Sequence, residues 1–161
     1  MDEKKTETKK IEKEIDPKKV MKYAESAVVS YGNLSPATPY SAGYDLMCQE
    51  QFRLKAGEIK MINTGLRVAI PEGYFGMVCS RSGLAAKKNV IVFNAPGIID
   101  ADYRGDIKVI LANMSKEDHA FTAGDRVAQL VVLPYAGLYT QKVKILETTE
   151  RGEGGFGSTG K

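Results

Sequence analysis

The residues of this chain whose types and spacing could do chemistry are few. They are Asp100 and Asp102, the run Ser80-Arg81-Ser82-Gly83, and the terminal run Arg151-Gly152-Glu153-Gly154-Gly155-Phe156-Gly157-Ser158-Thr159-Gly160. An aspartate is ionised at neutral pH and can take a hydrogen bond from a water aimed at an electrophile. Asp102 follows two residues later, so both carboxylates share one side if the segment stays strand-like. Arg81 carries a planar fork suited to phosphate oxygens, and Ser82 and the Gly83 amide are further donors. In the terminal run, glycine-rich backbone with Arg151, Ser158 and Thr159 can wrap a polyphosphate. Phe156 stands alone among Gly, Ser and Thr with no core to enter, which points to a ligand contact.

What is missing sharpens this. The chain has one histidine, His119, in a polar stretch that reads as a loop, and two cysteines, Cys48 and Cys79, with no CxxC pair. Ser-His-Asp and Cys-His catalysis and zinc sites of His and Cys are therefore excluded. The chemistry falls to carboxylates, an added metal, or Arg and backbone groups. The tail also satisfies GxGxxG and GxxxxGK, but the chain ends at Lys161 with no helix to follow, so neither Rossmann nor P-loop geometry is available.

The elements that must position these residues are short. From about residue 25, apolar and β-branched runs alternate with Gly, Pro and Asn breaks. They are 27–31, 44–48, 59–63, 66–70, 74–80, 90–94, 98–100, 107–113, 126–133 and 138–146. Such regular short runs predict an all-β antiparallel sandwich or jelly roll. One helical turn is expected at 83–87, and Asn94-Ala95-Pro96-Gly97 is expected to join two strands as a hairpin. Residues 1–22 hold eight Lys and six Asp/Glu with five apolar groups, and read as a disordered tail lacking any secretory or transit signal. The remaining body is almost neutral, with fifteen Lys/Arg against fourteen Asp/Glu, which argues against a nucleic-acid footprint. No run approaches the roughly 20 apolar residues of a membrane span. Unpaired cysteines fit a reducing compartment, cytoplasmic or nuclear rather than secreted.

Five segments in order resemble the motifs of the homotrimeric dUTPase family: Ala42–Leu46, Ser80–Ala85, Gly97–Gly105, Gly124–Leu130 and Arg151–Gly160. The resemblance spans about residues 25 to 161. It implies a jelly-roll-like distorted β-barrel over 23–147, a homotrimer with a swapped C-terminal arm at 148–161, and three shared active sites. The implied reaction is Mg²⁺-assisted water attack on the α-phosphorus of dUTP, giving dUMP and pyrophosphate. In that reading Asp100 activates the water, and Asn94 and Gly97 belong to the turn that reads uracil. Tyr103 packs beneath the sugar and rejects a ribose 2′-OH. Arg81, Ser82, Gly83 and Gln129 hold the α- and β-phosphates. Arg151 clamps the γ-phosphate with Gly157, Ser158 and Thr159, while Phe156 stacks on the base.

Several positions keep two readings. Asp45 either reaches a metal-bound water or is structural. Asp102 orients the turn or binds a neighbouring Arg, and Arg126 is a structural or interface arginine. A sister class on this fold deaminates dCTP but needs a glutamate on the strand after the third motif. The corresponding residue here is Ile110, which has no acid–base capacity. A binding or regulatory protein of the same fold is the non-enzymatic alternative.

Overall fold

The computed structural model describes residues 28–155. The charged stretch 1–22 and the contacts expected of Phe156, Gly157, Ser158 and Thr159 lie outside those residues. Eleven strands and one short helix follow in order: β1 (Val29–Tyr31), β2 (Gly43–Met47), β3 (Phe52–Leu54), β4 (Ile59–Asn63), β5 (Arg67–Ala69), β6 (Tyr74–Cys79), α1 (Ser82–Lys88), β7 (Val90–Val92), β8 (Gly97–Ile99), β9 (Lys108–Asn113), β10 (His119–Phe121) and β11 (Arg126–Pro134). Every pairing between them is antiparallel. A four-stranded sheet runs β2-β11-β6-β8 and a three-stranded sheet β4-β9-β7, with the pairs β1-β5 and β10-β3 beside them. This is the all-β, jelly-roll-like architecture that the short runs predicted.

Alternation explains the core. Leu46, Val78, Val127 and Leu130 point inward from the larger sheet, and Ile62, Val90, Val92, Val109 and Leu111 from the smaller. Within a regular strand these face the interior because side chains alternate from one face to the other; Val127 joins them through the register shift between Arg126 and Ala128. Gly76 is in the core for a different reason. A Cβ there would come within 2.9 Å of both Ile70 Cδ1 and Leu130 Cδ1. Cys48 is buried, and burial pushes its thiol pKa up, so it behaves as a small core residue.

Four expectations need correcting. Strands β3 and β10 were not foreseen, and His119 lies in β10 rather than in a loop. Its Nε2 sits 3.0 Å from the Lys88 carbonyl and 3.1 Å from Ser115 Oγ, so it anchors the far end of α1. The turn at 94–97 is not a hairpin, because β7 pairs with β9 while β8 pairs with β6; it carries the chain from one sheet to the other. The strand expected at 138–146 does not form within the chain, and Leu138, Tyr139, Val143, Ile145 and Leu146 are all exposed. The segment after Ile99 also leaves strand geometry: 101–102 is a turn, so Asp102 does not share a strand face with Asp100.

The outer face of the smaller sheet carries its own signal. Met61 registers with Ile110 and Ile59 with Ala112, while Ile91 registers with Ala112 on the other side. With Phe93, these place an apolar face opposite the core, and Ile59, Met61 and Phe93 are more than half exposed. An exposed apolar face of this kind is a candidate for contact with a partner.

Candidate active site

Two clefts gather the residues expected to do chemistry, and they have no lining residue in common. The first, about 250 Å³, is lined by Val78, Asn94, Gly97, Ile98, Ile99, Asp100, Tyr103, Asp106 and Lys108. Strand β8 builds one wall. Its register against β6 sets Gly97 opposite Val78 and Ile99 opposite Gly76, and the strand delivers Asp100 at its end, exposed. A Cβ on Gly97 would press on Asn94 Nδ2 and Val78 Cβ, each at 3.3 Å, so the glycine lets the 94–97 turn lie flat on β6.

Beyond Asp100 the backbone closes on itself. The Tyr103 amide donates to the Asp100 carbonyl at 3.1 Å. Arg104 Nη1 donates to the Ala101 and Tyr103 carbonyls at 2.6 and 2.8 Å. The Tyr103 hydroxyl donates to the Asp106 carbonyl at 3.0 Å, folding the ring over Gly105, where any Cβ would collide with it. Tyr103 remains 42% exposed, its ring available to a ligand in the cleft.

The second cleft, about 390 Å³, is lined by Ala37, Ser41, Ala42, Gly43, Asp45, Arg81, Ser82, Gly83 and Gln129. Asp45 on β2 is its hub. Its Oδ1 takes Arg81 Nε at 3.0 Å and its Oδ2 takes Arg126 Nη1 at 3.1 Å, with the side chain only 14% exposed. Arg81 Nη1 also donates to the Arg126 carbonyl at 3.2 Å. The guanidinium is thus fixed in place before any ligand arrives, with part of its donor fork still unused. Arg126 is the structural member of the trio, and the structural reading of Asp45 is the one its two arginine contacts support. Ser82 and Gly83 open α1 directly after Arg81.

Gln129 stands across from Asp45 on one side and Cys79 on the other. Its Nε2 donates to the Ser80 carbonyl at 3.0 Å. Ser80 is itself held, since its Oγ accepts the Val92 amide at 2.8 Å. The Gln129 Oε1 lies against Gly43, close enough that a Cβ on Gly43 would overlap it. The atom in the way is the tip of a flexible side chain. Gly43→Ala should therefore shift Gln129 while costing less than about 1 kcal/mol of fold stability. The expected result is a raised KM with an almost unchanged Tm; wild-type kinetics would show that Gln129 does not serve the ligand.

No group of three or more His, Cys, Asp or Glu among the described residues could hold a metal ion. The donor set of the second cleft is cationic and amide-rich, which fits an anionic ligand. Arg151 lines neither cleft; its Nε donates to the Gly154 carbonyl at 2.9 Å within an exposed turn. Ala37, Ser41, Asp106 and Lys108 line the clefts without having been foreseen. Ala37 and Ser41 lie in a Ser/Thr/Pro-rich loop that carries no motif. It is folded by a bridge from Pro36 to Tyr44 and a 2.8 Å contact between the Thr38 and Ser41 hydroxyls.

Known proteins resemble this chain. The family model described as dUTPase matches residues 32–160. The chain is 49% identical over 126 residues to the deoxyuridine 5′-triphosphate nucleotidohydrolase of Rickettsia bellii, covering 77% of this chain and 84% of the relative. It is 50% identical over 125 residues to the enzyme of that name from Cutibacterium acnes, covering 77% and 82%. Among solved structures, a mutant dUTPase of Staphylococcus bacteriophage 80alpha with dUpNHpp superposes with a TM-score of 0.72 at 28% identity, covering 84% of this chain and 99% of that one. A dUTPase from phage phi11 of S. aureus, described with a structural Mg(II) ion, superposes with a TM-score of 0.68 at 24% identity, covering 74% and 98%. With four ordered motifs distributed over two clefts, a fifth following them in sequence, and a family match that runs almost the length of the described fold, the chain belongs to the dUTPase family.

Proposed function

We propose that this chain hydrolyses dUTP to dUMP and pyrophosphate at sites shared between three copies. The observation that carries the reading is the separation of the two clefts. One has the carboxylate and the aromatic ring, the other the arginine and amide donors, and each is half of a nucleotide site. A site completed by a second copy is what a homotrimer with cyclic symmetry supplies three times over. The apolar outer face of the β4-β9-β7 sheet and the unpartnered apolar residues at 138–146 support such an assembly. The alternating segment pairs with no strand among the described residues, and a neighbouring copy could supply one.

The division of labour follows from the groups present. The turn at Asn94–Gly97 offers backbone donors and acceptors to uracil; cytosine presents the opposite pattern and leaves buried polar groups unpaired, a strong basis for discrimination. The Tyr103 ring lies under the sugar, where a 2′-OH would collide with it. Arg81, Ser82 and Gly83 from a neighbouring copy grip the β-phosphate, and Gln129 donates to the α-phosphate. These donors stabilise charge that grows on the leaving pyrophosphate. Asp100 accepts a proton from the water as its oxygen bonds to the α-phosphorus and the bond to the bridging oxygen breaks. Magnesium would be held chiefly by the nucleotide's own phosphate oxygens and waters, and would supply charge neutralisation on the triphosphate. The third copy's arm closes over the site, with Arg151, Gly157, Ser158 and Thr159 on the γ-phosphate and Phe156 on the base. The outcome is a low dUTP level, which keeps uracil out of DNA, and a supply of dUMP for dTMP synthesis.

Deamination of dCTP lacks its acid–base group. Ile110 lies on β9 opposite Met61, with its carbonyl accepting the Phe93 amide.

Mixed trimers test the reading. The wild-type chain should release pyrophosphate from dUTP and no ammonia from dCTP. Asp100→Asn and Arg81→Ala should each be inactive alone. Unfolded together and refolded 1:1, they should recover roughly a quarter of wild-type activity, because that share of sites draws both intact halves from different copies. No recovery would mean that both halves of a site come from one chain. Ammonia from dCTP would overturn the assigned reaction.

A further inference from the structure

We infer that Arg67 and Asp106 form a strap that holds Tyr103 in place and so helps set the discrimination against ribonucleotides. The inference rests on the proposed role of Tyr103 beneath the sugar.

The strap is built by register. Strand β5 pairs with β1 so that Arg67 lies directly opposite Tyr31, and the guanidinium carbon stands 4.9 Å from the centre of the Tyr31 ring. On its other side Arg67 Nε stands 3.0 Å from Asp106 Oδ1 in an ion pair. The contact is set up by the backbone, since the Ile107 amide donates to the Leu66 carbonyl at 2.8 Å and brings residues 106 and 67 together. Thr64 Oγ1 donates to the Ile107 carbonyl at 2.7 Å, and the Ile107 side chain is fully buried. One side of Asp106 is therefore anchored in the core.

The other side is not. Gly105 precedes Asp106, and its lack of a side chain, which makes room for the Tyr103 ring, also gives the backbone freedom. The Asp106 carbonyl is the acceptor for the Tyr103 hydroxyl. Whatever restrains residue 106 thus restrains the ring, and outside the backbone that restraint is the Arg67 ion pair. The same turn ends on the Asp100 carbonyl through the Tyr103 amide. A guanidinium stacked on a tyrosine loses less freedom when it pairs, which makes this pair a better clamp than an isolated surface contact.

Arg67 and Asp106 touch no reacting atom in this scheme; they are positioning residues. Their signature is a change in the ratio of kcat/KM for dUTP to that for UTP, which a residue serving stability alone would leave untouched. For an exposed pair, with side chains 54% and 39% accessible, the ratio should fall about three- to fivefold in Arg67→Ala, with kcat on dUTP held within about twofold. Arg67→Lys should retain more of the ratio than Arg67→Ala. Asp106→Asn keeps the carbonyl but loses the charge, so it should reproduce the Arg67→Ala shift and serves if that variant folds poorly. Tyr103→Ala is the control and should lower the ratio further than any of these. If Tyr103→Ala lowers the ratio while Arg67→Ala and Asp106→Asn leave it at the wild-type value, the strap is refuted and the sugar wall stands. If Tyr103→Ala leaves it unchanged, the sugar wall falls and the strap with it.

Discussion

Asp100→Asn should bind dUTP about as tightly as the wild type and turn it over at least about a thousandfold more slowly, within the range that a positioned general base supplies. The substitution is close to isosteric, so a water can still dock on the amide oxygen, but the amide cannot take its proton as the bond to phosphorus forms. The fold should not notice. The Asp100 side chain is exposed and makes no recorded side-chain hydrogen bond or ion pair among the described residues; the carbonyl that accepts the Tyr103 amide survives the change. Calorimetric titration with a non-hydrolysable dUTP analogue and single-turnover kinetics separate the two quantities. A variant that keeps wild-type turnover would move the base elsewhere in the cleft. Asp106 is the other carboxylate lining it, although its Oδ1 is paired with Arg67. A variant that loses binding together with turnover would show that the charge of Asp100 orients the nucleotide instead.

The residues of the clefts were legible in the sequence because their demands are local. Gly43, Arg81, Ser82, Gly97 and Asp100 sit in short runs where a missing side chain, a fork or a carboxylate has an identifiable purpose. Strands β3 and β10 were not legible, because each is three residues long and their pairing is remote. Leu54 meets His119, and Phe52 stacks on Phe121 with ring centres 4.7 Å apart. No window along the chain contains both partners. Asn113 shows the same limit. Its buried amide donates to the Leu54, Lys55 and Glu117 carbonyls at 3.2, 3.0 and 2.7 Å, a role that exists only after the sheets assemble.

The misread elements have a common cause. Turn chemistry at 94–97 correctly indicated a reversal, but it cannot say which sheet receives the strand that follows. Apolar alternation at 138–146 indicated a strand, but a strand is stabilised only with a neighbour to pair with, and among the described residues this segment pairs with none. The Arg67–Asp106 strap escaped notice because neither residue lies in a run with an evident purpose. Their meaning comes from the hydrogen bond between Ile107 and Leu66, remote in sequence but adjacent in space.

Removing the arm after Glu150 should reduce kcat/KM for dUTP by about a hundredfold or more while leaving the trimer folded. The arm supplies the proposed γ-phosphate arginine, the ring on the base and the cover that excludes water, and losing even one preorganised donor to a developing charge costs on that scale. Stability should change little. The last core residue is Leu130, strand β11 ends at Pro134, and the described residues from 136 to 153 are exposed. Cutting after 150 also spares 138–146, so the segment proposed to pair with a neighbour remains. The truncated chain then answers where the arm acts. Refolded 1:1 with Asp100→Asn, it should recover activity if the arm serves a site whose Asp100 belongs to another copy, since the full-length Asp100→Asn chain donates the arm and the truncated chain donates the carboxylate. If the arm closes over the Asp100 of its own chain, no mixed trimer can contain a complete site and the mixture stays inactive. Full activity in the truncated chain alone would remove the arm from the mechanism, leaving Arg81, Ser82, Gly83 and Gln129 to hold the triphosphate unaided.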